Sequence, residues 1–74
     1  MRIISQDNDV DISYKLCSLE ERKNNAGTYS IEAVVFMTRV SMGRYETEKR
    51  AKEILKEIRE KYNLGATSYV MPKE

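Results

Sequence analysis

One segment of this chain, SMGRYETEKRAKEILKEIREKYNLG (41–65), carries a sustained helical period, and no other segment does. Ala51, Ile54, Leu55, Ile58 and Tyr62 recur at helical spacing and form a single apolar stripe. Thr47 is a good N-cap, and Glu48 sits at the positive end of the helix dipole. Asn63 or Gly65 supplies a left-handed stop. Glu48/Lys52 and Glu57/Lys61 stand in the favourable i, i+4 order. The spacing predicts a helix over 48–63. Its stripe needs a partner surface, and everything else in the chain reads as strand.

RIISQ (2–6) is a short strand candidate, closed by Asp7-Asn8-Asp9, whose side chains tolerate left-handed backbone and bond their own main chain. DISYKL then alternates, with Ile12, Tyr14 and Leu16 on one face. A strand over 11–22 follows, with a change of phase near Cys17 that a bulge would permit. Asn24-Asn25-Ala26-Gly27 suits a hairpin turn. Beyond it TYSIEAVVFM (28–37) is rich in β-branched and aromatic residues. Tyr29, Ile31, Ala33, Val35 and Met37 share one face, while Val34 and Phe36 make the other apolar towards its end. A strand apolar on both sides is ordinarily covered on both. The segment 39–45 reads as a further strand after a turn around Met37 to Arg39, or as the second half of one long bent strand. A last strand is expected over 67–71, at an edge because Pro72 has no N–H to donate.

The expected fold is therefore α+β, one domain over 1–74. It consists of a small, mostly antiparallel sheet of four or five strands with one helix packed on one face. Nothing else is long enough to cover the opposite face. At 74 residues a chain buries only roughly 60% of the surface its unfolded form exposes. Disulfides, metals or oligomers commonly supplement such a core. Cys17 is the only cysteine and there is no histidine, so an internal disulfide is impossible and a zinc site is not indicated. Self-association is the supplement left, with a homodimer favoured. Val34, Val35, Phe36 and Met37 are the expected interface with another copy or a host protein, the alternative being a curled sheet that closes over both faces within one chain.

The same inventory leaves little for catalysis. Without an imidazole there is no ready base for a serine or cysteine nucleophile. Asp7, Asp9 and Asp11 lack the glycine and the distant glutamate of a calcium loop. Glu20 and Glu21 are chain neighbours whose side chains diverge. No glycine-rich phosphate cradle is present. The reading is of a non-enzyme with neither metal nor cofactor. Thirteen basic residues against twelve acidic ones give no global footprint for nucleic acid. No apolar run suits a membrane span, and MRIISQDND lacks the layout of a signal peptide. A cytoplasmic protein with a reduced thiol is expected. One cluster stands out for ligand binding: Arg39, Arg44 and Tyr45, with Lys49 and Arg50 on the first helical turn. Guanidinium groups there would grip phosphate and Tyr45 would stack a base.

MRIISQD at the start, DISY soon after, GRYETEKRAKEILKEI and the closing YVMP together resemble a family of small proteins. These belong to phages and prophages of Gram-positive bacteria and begin with an MRIISQDG-type segment. The resemblance covers both ends of the chain well and the middle poorly. Asn8 stands where relatives have glycine, and Ser13 where a proline is common. The resemblance implies a phage setting, the cytoplasm of an infected host and an accessory role. It brings no functional residue with it. The leading expectation is a phage-encoded protein that acts by binding, occluding or sequestering a host component. The alternative is an oligomeric binder of a nucleotide-like signal, and nucleic-acid binding is weaker still.

Overall fold

A computed structural model describes residues 1–74. The strands are β1 (Arg2–Ile4), β2 (Asp11–Ser13), β3 (Ser18–Lys23), β4 (Tyr29–Val35), β5 (Thr38–Tyr45) and β6 (Ser68–Val70). The helix α1 spans Glu48–Asn63, and a 3₁₀ turn occupies Tyr14–Leu16. The class is α+β, but the strands form two sheets of three instead of one sheet of four or five. One has the order β2-β1-β6 and the other β3-β4-β5. Within the first, β1 is antiparallel to β2 and parallel to β6; the second is wholly antiparallel.

The division occurs where a bulge was expected. After Ser13 the chain leaves the first sheet instead of continuing along it. The Tyr14 amide donates to Met1 O, and its ring tilts against Tyr62 of the helix with centroids 4.6 Å apart. Tyr14 thereby leaves the strand alternation for the 3₁₀ turn, in which Leu16 faces solvent. The chain re-enters as β3, in the second sheet. What looked like one strand over 11–22 is two short strands in different layers.

Helix α1 begins as its spacing requires. Thr47 Oγ1 accepts the Arg50 amide at 3.1 Å. At the other end Gly65 takes φ of 84°. The Gly65 amide donates to Tyr62 O and the Ala66 amide to Lys61 O, which satisfies the last carbonyls and stops the helix. Ala51, Ile54 and Ile58 are buried, and Leu55 and Tyr62 are half-buried beside them.

The core joins both sheets. Ile3, Tyr69 and Met71 come from the first sheet and its exit; Ile31, Ala33, Met42 and Tyr45 come from the second. Ile3, Ile31, Ile54 and Ile58 are fully inaccessible, each contributing roughly 1.5–3 kcal/mol by burial. The first sheet thus supplies apolar cover that a single sheet and helix would lack.

The far side of β3-β4-β5 corrects a second expectation. Ser18, Glu20 and Arg22 on β3 stand opposite Val34, Glu32 and Ser30 on β4, and Arg39, Ser41 and Arg44 follow on β5. Val34 is the only apolar side chain in this layer. Arg39 Nη1 lies 2.9 Å from Glu20 Oε1 and 3.3 Å from Glu32 Oε1, with Arg22 at 3.9 Å from the same Glu32 oxygen. An ion-paired face meets water without a lid, so β4 is not apolar on both sides. Phe36 left that face because the turn falls one residue earlier than the sequence suggested.

Candidate functional site

Val35 pairs with Thr38, so β4 and β5 are joined by a two-residue loop, Phe36-Met37. Such loops favour glycine, asparagine or aspartate, because at least one central residue must take positive φ. Here Phe36 does so, at φ 55°. Left-handed backbone costs a non-glycine residue about 1–2 kcal/mol. Nothing in the chain offsets that cost, since Phe36 is 97% exposed and Met37 is 99% exposed. Their two side chains form an apolar knob at the end of the longest hairpin. Val34 and Val35, the other two residues expected at an interface, are half-buried at its base.

The basic cluster does not assemble as expected. Arg39 is held by Glu20 and Glu32, which favour its charged form. Arg44, Tyr45 and Arg50 border a hollow of about 750 Å³ with Lys73, Glu46 and Glu74. Lys49 is exposed and outside that lining, as is Arg39. Tyr45 is 2% exposed, and its hydroxyl donates to Pro72 O at 2.7 Å. Burial pushes its pKa up to about 12. A ring sealed in this way cannot stack a base. The hollow carries acidic groups beside its cations, and the Arg50 Nε is spent on Glu74 O at 2.9 Å.

Gly43 explains how Tyr45 is seated. A Cβ at Gly43 would stand 2.8 Å from the Tyr45 hydroxyl and 3.1 Å from its ring. The bulge between Ile31 and Glu32, where β5 carries Met42 as an extra residue, brings this close approach about. Gly43→Ala is expected to lower stability by about 1–3 kcal/mol. In urea titrations the loss should be smaller in a Tyr45→Phe background, where the closest clashing atom is gone.

The closing connection is Gln6, which no sequence pattern indicated. Its Nε2 donates to Lys73 O at 2.7 Å, Pro72 O at 3.1 Å and Arg44 O at 3.2 Å. Its Oε1 accepts the Arg44 amide, and its own amide donates to Met42 O. One side chain therefore covers the free edge of β5 and ties the C-terminal segment to it. The neighbouring Ser5 and Asp7 set the turn that aims it. The Ser5 hydroxyl donates to Asp7 Oδ1, which also accepts the Asp9 amide, and Asn8 takes φ 65°. Those two bonds, the serine one first, hold the Asp7 carboxyl below its ordinary range.

A second apolar feature lies near the hairpin end. Tyr14, Cys17, Ser18, Leu19, Leu55 and Arg59 line a hollow of about 350 Å³ between the 3₁₀ turn, β3 and the helix. Partial burial raises the Cys17 thiol pKa, as for a packed side chain and not an activated nucleophile. No three acidic or thiol groups converge as metal ligands would. No helix is long and apolar enough to cross a membrane. Fold and site together define a small two-sheet α+β domain with a projecting apolar hairpin. Compared with protein-family models, curated proteins and solved structures, the chain matches none.

Proposed function

We propose that this protein is a non-catalytic binding protein whose contact surface is the β4–β5 hairpin end. The observation that carries the reading is Phe36-Met37: two large apolar side chains, nearly fully exposed, at a turn whose backbone disfavours the first of them. An exposed apolar pair whose first residue strains the turn is explained by a partner. The resemblance of the chain ends to phage and prophage proteins supports an accessory role in an infected cell, where binding would occlude or sequester a host component. The polar hollow at Arg44 supports a nucleotide reading less well, because Tyr45 is committed to Pro72.

Phe36→Asp tests the reading. The side chain makes no core contact, so circular dichroism should be unchanged. Association through the hairpin, scored as solution mass and as retention of host protein on immobilised chain, should weaken about 100-fold, as for loss of a central aromatic anchor. Unchanged mass and unchanged retention in a folded variant would remove the basis for this function.

A further inference from the structure

We propose that the occupant of the hairpin end is a second copy of this chain, the Phe36-Met37 knob of each entering the Tyr14–Leu55 hollow of the other. The inference rests on the binding reading above and names its partner. Two unexplained features then explain each other. The knob needs an apolar receptacle, and the hollow of about 350 Å³, four of whose six lining residues are hydrophobic, is large enough for an aromatic ring. A chain's own knob does not fill its own hollow, since both side chains stand free of it. Within a dimer Phe36 would meet Leu19 and Leu55, with the Arg59 guanidinium near the ring face. Met37 would bring its thioether towards Tyr14.

Position and area both favour a reciprocal pair over a chain of molecules. Ser18, in the hollow, pairs with Val34, two residues before Phe36. Knob and hollow thus occupy the same end of the molecule, and one two-fold axis between them makes both contacts at once. Two side chains of this size bury on the order of 300 Å², with a similar area in the receptacle. One such contact totals about 600 Å² and two about 1,200 Å², the lower bound for a specific interface. A single contact falls short. The other broad surfaces are less suited: the outer sheet face is ion-paired and the Arg44 hollow is polar.

Cys17 makes the geometry testable, because it lines the hollow and is the chain's only thiol. Met37→Cys would place a second thiol on the exposed knob. With diamide as oxidant, the full-length variant is expected to give covalent dimers on a non-reducing gel, at least tenfold fewer when Cys17→Ser is added. Wild-type protein should approach twice the chain mass by sedimentation equilibrium as concentration rises, and Leu55→Glu, checked for folding, should raise the dissociation constant at least tenfold. Covalent dimers that persist in the Cys17→Ser background would mean that knobs meet each other, which overturns the knob-in-hollow arrangement. Wild-type protein that stays at one chain mass at every concentration overturns the dimer itself. Retention of host protein, scored on Phe36→Asp, then decides the binding reading separately.

Discussion

Gln6→Glu is expected to cost this fold about 2–4 kcal/mol at neutral pH, although the change replaces one amide with a carboxylate of the same shape. The amide nitrogen faces three carbonyl oxygens, of Arg44, Pro72 and Lys73. A carboxylate would turn donors into a negative charge among three partial negatives, while the Arg44 amide kept its acceptor. Folding should therefore raise the pKa of the introduced carboxyl, since only its protonated form can donate. A raised folded pKa means the native state binds the proton more tightly than the unfolded chain does. The variant is accordingly expected to be most stable in acid and to lose ground as pH rises through the carboxylate range. Urea midpoints measured between acid and neutral pH, each compared with wild type, check the sign. Gln6→Ala should be destabilised without that additional pH dependence.

Exchanging the hairpin loop in the combined variant Phe36→Gly, Met37→Asn is expected to abolish association while leaving the fold intact. Only the first loop residue takes positive φ, and a two-residue hairpin loop of that form prefers glycine there, with a residue such as asparagine second. The change removes two exposed apolar side chains that have no core contact and relieves the left-handed phenylalanine. Each loses roughly 1.5–3 kcal/mol of burial at an interface, so the pair together accounts for at least a 100-fold weakening. Solution mass and retention of host protein both read this loss. Outward-facing Ser41→Ala, on the same strand but in the polar layer, should change neither.

The helix was legible because its determinants are local. Stripe, N-cap and glycine stop lie within 47–65 and act on one another directly. The Asp7-Asn8-Asp9 turn was legible for the same reason. The hairpin turn was misplaced because Phe-Met carries no turn chemistry, so alternation ran on through Phe36 and manufactured a second apolar face. That misplacement is itself informative: local preference and structure disagree where the chain serves something other than its own folding. The two-sheet division coincides with a ring contact between Tyr14 and Tyr62, far apart in sequence, and could not be read from pattern. Gln6 was hidden likewise, bonding residues 38, 66 and 67 positions away. Gly43 was a missed signal, since glycine inside a strand marks a bulge or a close approach. Of the five residues grouped as a ligand grip, Arg44, Tyr45 and Arg50 do share one hollow. Their grouping failed on Tyr45, whose burial depends on a carbonyl at the far end of the chain.

The hairpin loop is held to serve contact at the expense of the fold, and chemical unfolding of dilute protein reads that directly. Below the association range, the Phe36→Gly, Met37→Asn chain should unfold at a higher urea concentration than wild type, by the equivalent of about 1 kcal/mol. A lower midpoint would mean that phenylalanine and methionine stabilise the isolated monomer, and the purpose assigned to them here would be wrong.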